Sequence, residues 1–274
     1  MENPVIGVFL QIIMKIETLV VTVDQKDRSL AEKMNIQTDA VICNQSDRCC
    51  DECFEHNGNK IKFITRDDRG VGKNRNRSIE NSSGDILVLA DDDMRFEDGY
   101  TDTVIKCFSE LPDADVLIFN LIEKMPRRYV IKETEKAGKH NYAKFGAARI
   151  ALKRKSIIDS GIRFSLQFGG GAKYSAGEDT IFLNDCLRKK LNIYCVPYAL
   201  AEIDQSAEST WFKGYNEKFY YDKGAAYKAL GNSFTASLYC FRYLLKYRKQ
   251  YKGNYKFLYL YRLMLRGIKE YKDE

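Results

Sequence analysis

Apolar positions in the first two hundred residues fall in short runs separated by polar, turn-rich stretches. "TLVVTV" (18–23), "DAVIC" (39–43), "KIKFIT" (60–65), "DILVLA" (85–90), "ADVLIFNL" (114–121), "FGAARIALKR" (145–154) and "LNIYCVP" (191–197) each read as a strand. Between them lie stretches with helix-like spacing. These are "DRSLAEKMN", "SDRCCDECFEHNG" (46–58, with Ser46 or Asp47 as cap and Gly58 as stop), "GVGKNRNRSIENSSG" (70–84), residues 97–109 and "TIFLNDCLRKK". Strand alternating with helix predicts an α/β domain, a mostly parallel sheet wound by crossover helices on both faces. Residues 123–144 are polar and rich in Lys and Glu, and read as a loop excursion. Beyond residue 206 the periodicity turns helical and stays so, which divides the chain into a sheet domain, 16–205, and a helical extension, 206–274.

A chain of 274 residues with 45% hydrophobic positions is long enough to bury a sizeable core. Its net charge of +6 is uneven: residues 241–274 carry ten Lys or Arg against three Asp or Glu, leaving −1 on the first 240. Twelve of the 18 tyrosines also follow residue 210, so the extension is both basic and Tyr-rich. A basic amphipathic helical segment with interfacial aromatics suits an anionic membrane surface, and residues 238–274 are the candidate for such peripheral contact. The competing reading is a solvated helical subdomain with a charged outer face. Nucleic acid is disfavoured, because no recognised binding module accompanies the charge.

The eight cysteines follow no disulfide-scaffold spacing, and "PVIGVFLQIIM" (4–14) is too short to span a bilayer and lacks the features of a secretion signal. Met14 offers a second start, since "MKIETLVVTV" already opens on a strand. These features point to a reducing, cytoplasmic setting. Cys50, Cys53 and His56 have a zinc-like spacing, but no second ligand pair matches it; as a helix, the segment would instead turn Cys49, Cys53 and His56 inward on one face.

The chemistry begins at "GDILVLADDDMRFEDGY" (84–100), where a buried strand runs into Asp91, Asp92 and Asp93. Ligands of open parallel sheets bind at the carboxyl ends of the strands. In extended chain Asp91 and Asp93 would point one way and Asp92 the other. Two like-directed carboxylates suit a hard divalent cation, Mg2+ or Mn2+, with positions left for water and phosphate. A solvated acidic turn is the plain alternative for this motif alone. "RGVGKNRNRSIE" (69–80) places Lys73, Arg75 and Arg77 near a helix start, where N–H groups favour anions, although a basic solvated helix explains them equally. The glycines at 169–171 allow close backbone approach, and Gly177-Glu178-Asp179 opens a helix whose dipole favours negative charge.

"GKNRNRSIENSSGDILVLADDDM" and "FGGGAKYSAGEDTIFLNDCLRKKLNIYCVP", about 85 residues apart, together resemble the two signature blocks of the family 2 glycosyltransferases of the GT-A fold. The likeness runs over roughly residues 16–200 and is strongest to the bacterial enzymes of capsule and O-antigen synthesis. It implies that Asp91 and Asp93 hold a metal, Mn2+ or Mg2+, and with Asp92 the donor's diphosphate and ribose. It implies that Arg75 approaches the nucleotide, and that Asp179 is the base serving the acceptor hydroxyl with Glu178 in support. The glycine loop, with Gly170 at its centre, would border the donor. The family's second strand commonly ends in Asp-Asp; here Asn44 and Gln45 stand in that place, where an amide would meet the nucleobase. Asp24, after the first strand, is a further nucleotide contact. The expected activity is inverting transfer from a nucleoside-diphosphate sugar, UDP favoured, to a glycan or lipid-linked glycan acceptor at the inner face of the cytoplasmic membrane. Two alternatives are a nucleotidyltransferase of similar fold and a relative that binds nucleotide sugar or glycan without turnover. "ESTWFKGYNEKFYYDKGAAYKAL" (208–230) resembles a Ser-Thr-Trp segment of related enzymes; its tryptophan would pack the tail helices or stack on acceptor sugar.

Overall fold

Successive side chains of each central strand point to opposite faces of the sheet, and the computed structural model, which describes residues 14–125, 129–206 and 212–273, shows both faces covered. Strands β1 (Ile16–Val23), β2 (Asp39–Gln45), β4 (Asn59–Arg66) and β5 (Ile86–Asp91) form a contiguous parallel block in the order β4-β2-β1-β5. On one face Val20, Ala40, Ile42, Ile86, Val88 and Ala90 pack against the one-turn helix α1 (Leu30–Lys33) and α3 (Tyr100–Glu110). On the other, Leu19, Val41, Cys43, Leu87 and Leu89 meet α2 (Val71–Glu80), α4 (Arg154–Ser160) and α5 (Glu178–Arg188).

Past β5 the sheet becomes mixed. β9 (Ile150–Lys153) runs antiparallel between β5 and β7 (Val116–Ile122), and β10 (Ile193–Ile203) is parallel to β7. The short β6 (Met94–Phe96) and β8 (Glu135–Lys136) pair antiparallel with β10. The expected strand at 145–154 is thus ordered as strand only over its second half.

One expected helix is a strand. Residues 46–58 do not coil: β3 (Cys50–His56) pairs antiparallel with β4 as the edge of the sheet. The hairpin turns at Asn57-Gly58, both with positive φ (50° and 77°), the conformation for which Asn-Gly is the preferred pair. Cys49, Cys50 and Cys53 are therefore exposed, not turned inward together, and Cys50 and Cys53 point to opposite faces of the strand. The inward-facing helical Cys-Cys-His set is not formed.

The extension comprises α6 (Glu217–Ala229), α7 (Ser233–Lys246) and α8 (Phe257–Glu270), with its own core of Tyr220, Cys240, Leu244, Leu260 and Met264. α6 and α8 touch backbone to backbone: a Cβ at Gly224 would lie 2.1 Å from the Met264 carbonyl oxygen, and one at Gly267 the same distance from that of Tyr221. A smaller cluster of Phe168, Tyr174, Ile181 and Ala225 joins α6 to the glycine-rich loop and to α5. Among the described residues no helix is long and apolar enough to cross a membrane. The tryptophan at 211 and residues 4–13 lie outside the described residues.

Candidate functional site

The carboxyl ends of β1, β2 and β5 open into a groove of about 1850 Å3. That is larger than the roughly 300–1,000 Å3 of a pocket for one small molecule. Val21–Val23, Gln45 and Asp91–Asp93 line one end, residues 169–172 and 175–181 a side, and α6 with α7 the far wall.

Alternation along β5 decides where the first acid falls. Leu87 and Leu89 face α2 and α5, so Asp91, next in phase, faces them too. There it meets Arg75 on α2, whose one terminal nitrogen donates to Asp91 Oδ1 at 2.8 Å. The other terminal nitrogen of Arg75 donates to Asp179 Oδ1 at the start of α5 and lies 3.7 Å from Glu178 Oε1. The guanidinium also stacks over Phe164, 5.3 Å from its ring centre. One buried cation thus holds carboxylates from two distant parts of the chain.

Three acids around one cation cannot all be charged without cost. Burial, then repulsion from Asp179, outweighs the pull of Arg75 and pushes the Glu178 carboxyl up to about 7. Burial works against the charge of Arg75 as well, but Asp179, Asp91 and Glu178 more than offset it and hold the guanidinium above its ordinary value. Asp92 turns elsewhere: it accepts a hydrogen bond from Thr22 on β1, and burial raises its carboxyl above the usual range.

The glycine-rich loop closes over the start of α2. Val71 N–H donates to the Gly170 carbonyl at 2.9 Å and Gly70 N–H to Gln45 Oε1 at 2.6 Å. Gly169 (φ 100°) is obligatory, because a Cβ there would fall 2.4 Å from Val71 Cγ1 and 2.8 Å from Glu178 Cδ. Gly170 has open space where a Cβ would go. The far end of the loop is anchored by Asp222 of α6, which accepts from Ser175 N–H at 2.9 Å and from the Ser175 hydroxyl, and pairs with Lys218 at 2.8 Å.

Several expectations change. At the start of α2 the N–H groups of Gly70 and Val71 are engaged, Lys73 and Arg77 pair with Asp68, and Arg75 pairs with the acids. Arg75, 5% exposed, therefore positions carboxylates where a nucleotide contact was expected. Asn44 is fully buried; its amide grips the backbone of Gln25 at 3.0 and 3.1 Å and reaches Thr65, away from the groove. Asp24 stands outside the groove wall with φ 53°, paired to Arg69 at 3.4 Å. Gln45 and Gly170 do line the groove, as do Asp91, Asp92, Asp93, Glu178 and Asp179. β5 ends at Asp91 and residues 92–93 turn, so the alternation expected through Asp93 does not continue. Among the described residues, the 123–144 excursion reaches the groove at Glu123 and Ala143; just beyond it, a Cβ at Gly146 would lie 3.3 Å from Asp179 Oδ2. His140 is exposed and away from the groove. Thr22, Asp222 and Lys223 were not singled out, and no local motif marks them.

Asp91 and Asp93 present only carboxylate oxygens, and no cluster of three or more His, Cys, Asp or Glu suited to a metal is assembled among the described residues. Such a set fits a hard cation that keeps water and takes substrate phosphate, as Mg2+ and Mn2+ do, better than a preassembled protein cage.

Residues 41–166 match the sequence pattern of the family described as Glycosyl transferase family 2. The sequence matches no curated protein. Among solved structures, the chain superposes on residues 1–349 of TarS from S. aureus in complex with UDP-GlcNAc. The TM-score is 0.64 at 16% identity, over 89% of this chain and 76% of that one. The same TarS fragment in complex with UDP gives 0.59 at 15% identity with the same coverage. A further structure of TarS gives 0.61 at 15%, this chain spanning 46% of that one. The likeness covers the GT-A fold, and the sequence pattern runs from β2 through the acidic turn to β9 and α4. The chain thus carries a glycosyl transferase family 2 sequence pattern over residues 41–166, within a GT-A fold.

Proposed function

We propose that the groove transfers a sugar from a UDP-linked donor to a hydroxyl of a glycan acceptor, with inversion at the anomeric carbon. The acceptor oxygen forms a bond to that carbon as the bond to the diphosphate oxygen breaks. The nucleoside diphosphate departs, and the acceptor's proton passes to Asp179. The observation that carries this reading is the single guanidinium of Arg75 between Asp91 and Asp179. It fixes the donor end and the base end of the groove relative to one another, which is what an in-line displacement needs. Asp91 and Asp93 would hold Mg2+ or Mn2+, which when bound offsets charge growing on the leaving diphosphate. Glu178, beside the base and readily protonated, keeps the surplus negative charge around Asp179 small. The UDP and UDP-GlcNAc complexes of TarS favour a uridine donor. The test is calorimetry of the full chain against a panel of nucleotide sugars with Mn2+, followed by assay of nucleotide release. Selective binding of a UDP-sugar with UDP release supports the reading. Pyrophosphate release instead would favour the nucleotidyltransferase alternative.

We also propose that the extension rests on an anionic membrane, where lipid-linked acceptors are presented. Phe234, Leu238, Phe241 and Leu245 recur at i, i+4, i+7 and i+11 on α7 and are 41–81% exposed, while Ala236, Cys240 and Leu244 face the core. Leu258 on α8 is 66% exposed, and Arg248 and Lys249, both exposed, follow α7 outside the groove. Apolar side chains beside basic ones match a surface of anionic headgroups. Flotation with phosphatidylglycerol vesicles should recover the wild type and lose a Phe234→Ser/Leu238→Ser variant. Equal recovery of both ends the idea.

A further inference from the structure

Half of the eight Lys and Arg residues lining the groove are matched to carboxylates or backbone carbonyls. Arg75 has its acids, Lys218 has Asp222, and Arg69 has Asp24 and the Gln45 carbonyl. The far wall is different. Lys213, Lys223, Arg242 and Lys246 all line the groove there, and among the described residues no carboxylate pairs with any of them. Lys223 is the most enclosed: its ammonium lies 5.1 Å from the ring centre of Tyr243, 5.7 Å from Tyr227 and 5.9 Å from Phe219. Rings of this kind partly compensate a desolvated cation but do not neutralise it. Burial lowers the pKa of Lys223, the mark of a charge taken from water without a counter-ion.

The position of this wall relative to the base is set by close packing. A Cβ at Gly177, the residue that opens α5, would sit 3.4 Å from Ala226 Cβ. Lys223 precedes Ala226 by three residues on the same face of α6, about one helical turn, ~5 Å, away. Lys223 therefore stands about one turn of α6 from the start of the helix bearing Asp179.

We propose that Lys223 and Arg242 form a subsite for an oxyanion carried by the acceptor, so that the glycan extended here bears phosphate or carboxylate groups. This rests on the transferase reading, because it takes Asp179 as the point at which the acceptor hydroxyl must arrive. An anion at Lys223 would be anchored near that hydroxyl and orient it, while the donor's diphosphate stays at the acidic end with its cation.

The test is calorimetric titration of the full chain with inorganic phosphate and, separately, with glucuronate, each without UDP and after saturation with UDP and Mg2+. Binding that persists under UDP saturation and weakens at least tenfold in both Lys223→Met and Arg242→Gln, with UDP affinity unchanged, supports the subsite. The tighter of the two probes identifies the anion's chemistry. Arg242 is exposed, so its variant reads the site even if Lys223→Met fails to fold. Absence of binding by both probes, displacement of both by UDP, or binding unaffected by the variants overturns the proposal. Failure of UDP itself to bind counts against the transferase reading alone, because the titration without UDP still reports on Lys223.

Discussion

Asp91, at the end of β5, and Asp179, at the start of a helix far along the chain, are held by the same guanidinium. Arg75 lies between two carboxylates that would otherwise repel. The arginine is a positioning residue whose worth lies in its forked geometry, with one nitrogen for each acid.

Arg75→Lys should therefore fail, although it conserves charge. A single ammonium cannot satisfy both acids, and nucleotide release should fall at least tenfold. Arg75→Met should in addition cost about 2–4 kcal/mol in denaturant unfolding, somewhat below the ~3–5 kcal/mol of a fully buried pair because Asp91 is 40% exposed. A lysine variant with wild-type turnover would mean that the shared guanidinium is not what aligns the site.

The raised carboxyl of Glu178 gives a pH dependence with a definite sign. Its folded-state pKa of about 7 lies above the ordinary 4.5, so its stabilising contribution is complete below pH 4.5 and lost as pH rises through 7. Glu178→Gln cannot lose a proton. Relative to wild type it should gain on the order of 1–3 kcal/mol between pH 5 and pH 8, read from urea midpoints at the two values. Equal midpoint differences at both pH values would show that Glu178 is not held in this way.

Adjacent glycines should behave oppositely. Gly169→Ala forces a side chain into Val71 and Glu178 at positive φ and should cost about 2–4 kcal/mol. Gly170→Ala meets open space at ordinary φ and should change stability by less than ~0.5 kcal/mol. Thermal unfolding of the pair distinguishes a loop under tight packing from one that is merely flexible.

Thiol labelling checks the edge hairpin. Cys49, Cys50 and Cys53 are exposed and the other five cysteines are buried, so a native sample should react quickly at three thiols and at the rest only on unfolding. An inward-facing helix over 46–58 would have hidden Cys49 and Cys53.

That hairpin shows where sequence reasoning stops. The central strands were legible because each is a continuous apolar run with a buried neighbour on either side. An edge strand has one wet face, and β3 spaces Cys50, Cys53 and His56 three apart in a way that passes for a helix. The only local sign was Asn57-Gly58, which fits a two-residue hairpin turn better than a helix stop. In the site, Asp91, Asp93, Glu178 and Asp179 stood out as charges at element ends. Arg75 stood out too, but its role did not, since which acids it meets is decided by α2 and α5 packing on one face of the sheet. Asn44 shows the reverse error: it falls at a strand end as expected, yet its amide is used to hold the Gln25 backbone. Lys223 carries no motif, and only the closure of α6 and α7 over the groove reveals it.

The claim that most depends on this geometry is that Asp179 takes the acceptor's proton while Asp91 and Asp93 serve the donor. It is tested most directly by Asp179→Asn, an isosteric change, with UDP affinity and glycosyl transfer measured on the same sample. UDP affinity within about threefold of wild type with transfer reduced by at least 10²-fold, the lower end for loss of a general base, is the expected result. Transfer at the wild-type rate would contradict it.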